Sequence, residues 1–383
     1  MPHNPRMPIR PFAGAACAAL LLVACATATA PTAPVMSTPR VVPAAPVAMP
    51  ATVAEAWETA RVPAEELDSL AAWQSPGGAT WLFASAKSTD RVLVYDGQDG
   101  QPLRQLGGPG KGPGEFDRPN GLAVYADHLF VVERDNHRVQ VFTLPALESL
   151  GSFGDEVLRS PYGLWINETE PGELEVYVTD SFMYGDRHDV VPPLHELDQR
   201  VRRFRVAFDH LGRLRATHAG HFGDTTAAGA LRIVESIGGD AANDRLLVAD
   251  ESRDGSDGHG GSTLREYDLA GRASGRSLPE GSFDAEAEGV ALWACPGGGG
   301  YWIAVDQLAP LTRFHLFDRA TLAAAGSFQG QVTAHTDGIA LDATASGRFP
   351  GGVLYAVSDD ALITAFDLRD VAATLGLDRA CTE

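Results

Sequence analysis

Apolar residues in this chain fall into short runs separated by polar and glycine positions, and the runs repeat. Six times a polar residue beside or just before glycine opens a short aliphatic segment. The segments are Asp68-Ser69-Leu70-Ala71-Ala72-Trp73, Asn120-Gly121-Leu122-Ala123-Val124, Tyr162-Gly163-Leu164-Trp165-Ile166, Glu235-Ser236-Ile237-Gly238-Gly239, Glu288-Gly289-Val290-Ala291-Leu292 and Asp337-Gly338-Ile339-Ala340-Leu341. The first is the loosest and has no glycine. Each is followed by a second apolar strand ending in a polar residue, such as Leu129-Phe130-Val131-Val132 or Val353-Leu354-Tyr355-Ala356-Val357. A third strand usually follows, such as Val139-Gln140-Val141-Phe142. No stretch sustains helical periodicity. Short β-rich units repeating about every 40–60 residues predict an all-β chain folded as a six-bladed β-propeller. The polar residue that opens each repeat then faces a shared axis, and function is expected on that ring of six.

The spacing is uneven. The long third interval contains Ser181–Gln199, with Pro192-Pro193, His188 and His195. It reads as a loop inserted over one face.

The first part of the chain has a different composition. Residues 1–24 read as a secretory signal: Arg6 and Arg10 supply positive charge, and the 13-residue apolar run Phe12–Ala24 is too short to span a bilayer. Leu22-Val23-Ala24-Cys25 resembles a bacterial lipobox. That resemblance implies export across the inner membrane, cleavage before Cys25 and lipid on its sulfur. The protein would then be anchored, on the outer membrane, facing the periplasm or the cell surface, with the lipid its only membrane contact. Residues 25–56 read as a linker, with prolines at 31, 34, 39, 43, 46 and 50. The propeller is expected over 57–383, as a monomer. After processing, Cys295 and Cys381 remain in an oxidising compartment, where a disulfide between them is expected and two buried thiols are the alternative.

The formal charge of −20 argues against a nucleic-acid partner and suits either solubility or multivalent cations. Gly108-Pro109-Gly110-Lys111-Gly112-Pro113-Gly114 has glycines like a phosphate loop but lacks the Gly-Lys-Ser/Thr ending and a following helix. His218 and His221 have no third ligand nearby in sequence, and no Gly-x-Ser-x-Gly elbow occurs.

The acidic positions carry more chemistry. Glu235, Glu251, Glu286 and Glu288 stand at strand ends of adjacent repeats, and Gln307 follows in the fifth. On a strand, Glu286 and Glu288 share a face. Clustered carboxylates repel unless cations neutralise them, and oxygen donors select hard ions, Ca²⁺ first. Solvated turn residues are the plain alternative.

Several segments together resemble the β-propeller phytases. Glu286-Ala287-Glu288-Gly289 is similar to that family's Asp-x-Glu-Gly block, and Tyr301 through Gln307 and Phe314 through Arg319 resemble its following strands. Thr336-Asp337-Gly338-Ile339 and Phe349-Pro350-Gly351-Gly352 resemble its closing motifs. Val234-Glu235, Ala249-Asp250-Glu251, Tyr162-Gly163 and Asp68 through Trp73 resemble its upstream ones, so the likeness covers Glu58 to Leu375. It implies a calcium-dependent phosphomonoester hydrolase of the 3-phytase type, releasing phosphate from phytate with a metal-activated water. Asp68, Glu235, Glu251, Glu286, Glu288, Gln307 and Asp337 would hold several calcium ions, with Glu235 and Glu288 catalytic. Lys87, Arg134 and Tyr162 would bind substrate phosphates. Three positions depart from the family: Glu286 stands where it has Asp, Ser69 replaces a second Asp, and its Lys-Lys pair is reduced to Lys87-Ser88.

Two other readings remain open. A lactonase of gluconolactonase type would place one metal on Asn120, Asp337 and Glu288. Gly108–Val124 looks like an NHL repeat, which suits a non-catalytic binding propeller.

Overall fold

A computed structural model describes residues 49–252, 261–279 and 281–382. The expected signal segment, Cys25 and most of the linker lie outside these residues. Two short strands come first, β1 (Ala51–Thr52) and β2 (Trp57–Glu58). Blade one is β3 (Leu67–Gln74), β4 (Thr80–Ala86), β5 (Arg91–Asp96) and β6 (Pro102–Gly107). Blade two is β7 (Pro119–Tyr125), β8 (His128–Glu133), β9 (Arg138–Thr143) and β10 (Ser149–Phe153). Blade three is β11 (Pro161–Glu170), β12 (Glu173–Asp180), β13 (Val201–Phe208) and β14 (Leu214–Phe222). Blade four is β15 (Val234–Asp240), β16 (Arg245–Asp250), β17 (Thr263–Tyr267) and β18 (Ala273–Ser277). Blade five is β19 (Ala287–Ala294), β20 (Gly300–Asp306), β21 (Arg313–Asp318) and β22 (Ala324–Gln329). Blade six is β23 (Ile339–Asp342), β24 (Val353–Ser358) and β25 (Leu362–Asp367), completed by β2, which pairs antiparallel to β25. The six-bladed propeller expected from the repeats is the fold.

The apolar pattern follows from this packing. Second strands are covered on both faces, so they read as nearly unbroken apolar runs: β24 is buried throughout. Alternate residues serve opposite seams. On β8, Leu129 and Val131 pack toward blade one with Phe83 and Val94, whereas Phe130 and Val132 pack toward blade three with Val176 and Phe204. Among the described residues the core is divided into six such clusters, one per seam. A buried bidentate pair adds to the seam between blades four and five: Arg319 donates to Asp240 at 2.7 and 2.6 Å.

Two features differ from the sequence expectation, and the Cys295–Cys381 pairing agrees with it. The domain begins before residue 57. β1 pairs in parallel with Phe328 and Gln329, covering the outer edge of blade five, whose backbone groups would otherwise lie open. Glu55 accepts backbone N–H groups of Gln331, Val332 and Thr333, each at 3.0 Å. A helix, α1 (Leu368–Leu375), follows blade six; its eight residues are too few for a periodic signal. Its N-cap Asp367 accepts from Arg369 N–H, and Gly376 ends it in the left-handed region. Cys295 and Cys381 form a disulfide that fastens the segment after α1 to blade five.

Candidate metal centre

The innermost strand of five blades carries the same irregularity. Leu67 pairs with Ala86 and Leu70 with Ala84, so Asp68 and Ser69 together oppose Ser85. The same two-against-one bulge recurs at Asn120-Gly121, Tyr162-Gly163, Glu235-Ser236 and Glu288-Gly289. A bulge re-aims one side chain out of the pleat, and here it falls at the residue the repeats mark as axial. The glycine has its own reason. A Cβ on Gly121 would lie 2.3 Å from the Tyr162 carbonyl oxygen, on Gly163 2.3 Å from that of Glu235, and on Gly338 2.5 Å from that of Asp68. Neighbouring blades therefore touch backbone to backbone beside the ring. Ser69, expected as a lost ligand, donates its N–H to Ser85 Oγ at 2.9 Å and sits one residue outside the axial position.

A second set of positions follows the second strands. The N–H groups of Lys87, Arg134, Ser181, Glu251 and Gln307 donate to the carbonyls of Glu66, Arg118, Ser160, Ile233 and Glu286 at 3.0, 3.1, 2.8, 2.9 and 3.0 Å. Each acceptor stands two residues before its blade's axial residue. Lys87, Arg134, Glu251 and Gln307 are thus equivalent positions of four blades, set beside the ring by one repeated bond. The insertion 181–199 leaves blade three from the matching place and so emerges on the same face.

The ring is unequal. Asp68, almost fully buried, accepts from Asn120 Nδ2 at 2.7 Å, and the Tyr162 hydroxyl is in hydrogen-bond reach of both Asp68 and Glu235. Lys87 Nζ lies 3.9 Å from Asp68 and 3.8 Å from Asp337. Gln307 Nε2 donates to Asp337, which is also hydrogen-bonded to Asp360. On the other side, Glu235, Glu251 and Glu288 bring one oxygen each within 4.8 Å of one another. Glu251 is 9 % exposed, and its Oε1 is buried with no hydrogen-bond partner.

The electrostatics follow from this crowding. Burial, then Asp68, pushes Glu235 up to about 8. Burial, then Glu235 and the other acids around them, holds Glu251 and Glu288 well above the carboxylate range. Asp337 is pushed up to about 10, by burial first and then by Asp68 and Asp360. Burial disfavours the Lys87 ammonium, but Asp68, Asp337, Asp360 and Glu235 more than offset it and raise its pKa. The Tyr162 hydroxyl is held well above its usual value, by burial and then by the acids around it.

Not every expected residue joins the group. Glu286 contributes its carbonyl to Gln307, while its charge acts on Glu251 and Glu288 from alongside. Gln307 is turned to Asp337, whose charge in turn acts on Glu251 and Glu288. Arg134 forks Asp135 at 2.7 and 3.1 Å and remains one-third exposed; against the effect of burial, Asp135 first and then Tyr162 and Glu235 raise its pKa. Three groups escaped sequence reasoning. Arg118, in the left-handed region at φ 52°, lowers both Asp68 and Glu235 electrostatically. His335 and Asp360 join Asp337 in a second cluster whose ligand atoms lie within 4.8 Å of one another. Neither belongs to a repeated strand, so no periodic signal marks them.

Four further buried acids have structural partners. Asp180, Asp250 and Asp306 close the second strands of blades three to five and accept N–H groups of the preceding loop, as from Ser160 at 2.7 Å and Ala285 at 2.8 Å. Glu133 binds Arg138 at 2.6 Å and Gln140 at 2.8 Å. Within the bore formed by the innermost strands lies a cavity of about 400 Å³ whose lining includes Leu70, Leu122, Leu164, Ile237, Val290 and Ile339.

Three oxygens within 4.8 Å of one another suit a hard cation whose ligand distances are about 2.3–2.6 Å. The buried, unpartnered Glu251 oxygen is a ligand atom lacking a donor. On both counts these residues fit calcium.

The NHL repeat model matches residues 116–142, which run from the end of the preceding loop through β7 and β8 into β9. No curated protein matches the chain. Among solved structures it is similar to a chain described as Kuenenia stuttgartiensis Hydrazine Synthase, at 14 % identity and a TM-score of 0.48, over 84 % of this chain and 82 % of that one.

Proposed function

We propose that the axial ring is a calcium-dependent phosphomonoesterase site acting on phytate or a similarly anionic phosphate ester. The observation that carries this reading is the Glu235–Glu251–Glu288 group with its unpartnered buried oxygen. These three residues would hold the ion. Bound there, calcium supplies positive charge for phosphate oxygens and favours deprotonation of a water. The chain's own groups do the remaining work. Arg134, Arg118 and the Tyr162 hydroxyl border the glutamates and would orient the phosphate, the guanidinium groups through their planar donors. Glu235 and Glu288 would accept hydrogen bonds from the attacking water. Its oxygen bonds to phosphorus, the ester P–O bond breaks, and the alcohol leaves with a proton. The resemblance to β-propeller phytases supports the choice of substrate. The glutamates come from blades four and five rather than from Asn120, Asp337 and Glu288, which favours this reading over a lactonase.

The test is phosphate release from phytate by the full-length chain, with calcium or with excess chelator. Activity should require calcium and disappear in Glu251→Gln and Glu288→Gln. Undiminished turnover in chelator would refute the reading. The NHL match at 116–142 favours a second reading, a non-catalytic binding propeller. A chain that releases no phosphate under any metal condition but binds one partner, unaffected by Glu251→Gln, would establish it instead.

A further inference from the structure

The ring contains acids in two places but only one lysine between them. On the side of blades one and six, donors already meet the oxygens of Asp68 and Asp337. Asp68 has Asn120 Nδ2, Lys87 Nζ and the Tyr162 hydroxyl. Asp337 has Gln307 Nε2 and, farther off, Lys87 Nζ; Asp360 beside it is an acceptor, and its own Oδ1 is buried without a partner. Lys87 is about one-tenth exposed and lies almost equidistant from the two aspartates, at 3.9 and 3.8 Å. On the side of blades four and five, three glutamates converge and one buried oxygen has no donor.

We infer that Lys87 is a built-in counter-ion occupying a second cation position of the ring, so that the native chain binds a single divalent ion, at Glu235–Glu251–Glu288. An ammonium and a divalent ion compete for the same oxygens. Where Lys87 sits between Asp68 and Asp337, a cation would have to displace it and leave a charged, nearly buried amine beside a metal. Removing the ammonium frees both aspartates, with Asp360 and His335 already next to Asp337. Lys87 is then a specificity-determining residue that sets the number of ions, rather than a direct phosphate ligand. The inference rests on the metal reading proposed above.

Its test counts ions rather than turnover. Equilibrium dialysis of the full-length chain against calcium chloride, without substrate, should give one ion per chain for the native protein. Lys87→Met should give two, and Lys87→Arg one. Glu251→Gln should take the native count from one to zero, and the Lys87→Met count from two to one. Two or more ions in the native chain would overturn the inference and leave the metal reading standing, as would a count of one in folded Lys87→Met. A native count of zero would overturn both. If Lys87→Met does not fold, Lys87→Gln takes its place, with two ions expected and a count of one overturning the inference.

Discussion

The disulfide is the feature whose contribution can be worked furthest. Cys295 and Cys381 are 86 residues apart, and the loop they close contains the rest of blade five, the strands β23 to β25 and α1. In the chain-entropy treatment, a loop of that length removes about 15 cal/mol/K from the unfolded state, or about 4–5 kcal/mol at 25 °C. For a domain of about 330 residues, the entropy of unfolding near the midpoint is about 0.7 kcal/mol/K. The bond should therefore be worth about 6–7 °C in Tm. The native fold holds this segment by other means too. Trp293 Nε1 donates to the Cys381 carbonyl at 3.3 Å, and Val371 and Ala372 of α1 join the blade five–six core. The double variant Cys295→Ser/Cys381→Ser should therefore still fold. Calorimetry with and without reductant is the assay. The native chain should lose that Tm increment when reduced, and the double variant should start lower and not respond. If alkylation shows full reduction and the native Tm does not move, the entropic argument fails.

Gly163→Ala would place a Cβ 2.3 Å from the Glu235 carbonyl. It should cost about 1–3 kcal/mol or more through overpacking and weaken calcium binding by shifting Glu235, read by melting and calcium titration. Arg319→Ala leaves Asp240 buried without its bidentate partner and should cost about 3–5 kcal/mol in urea unfolding, at a place remote from the ring's carboxylates. Glu55 predicts a pH effect. Burial alone would raise its pKa, but N–H and hydroxyl donors from Gln331, Thr333 and Val332 outweigh this and lower it. Its contribution is therefore present above its unfolded value, near 4.5, and is lost as pH falls through the lower folded value. Glu55→Gln should flatten that part of the acid-unfolding curve, and an unchanged curve would count against the cap.

Much of the blade order was legible because its causes are local. A polar residue before glycine marks an axial side chain followed by a backbone that a neighbouring carbonyl touches, and both demands are written in adjacent letters. Glu235, Glu251 and Glu288 were legible for the same reason, since each sits at a repeated strand end. Glu286 looked like a ligand because alternation puts it on the face of Glu288, yet it precedes β19, and the bulge at Glu288-Gly289 re-aims Glu288 out of that alternation. His335 and Asp360 were hidden because their loops repeat nowhere else. The N-terminal arm was hidden because β1 meets blade five across most of the sequence, and its composition carries no sign of that partner. Asp180, Asp250 and Asp306 show the opposite case: the pattern marks them, but their work is to hold loops.

The repeated bulge also bears on how such a ring can change over time. A bulged residue is supernumerary, pairing with no residue across the ladder, so replacing it breaks no strand register. The six seams that hold the blades together lie away from these side chains. Substitution at positions 68, 120, 162, 235 and 288 can thus alter charge, reach and acidity one blade at a time while the scaffold stays intact. The neighbouring glycines have no such freedom. The fold separates a row of interchangeable letters from a row of fixed ones, and a lineage could exchange one chemistry for another through a handful of single substitutions.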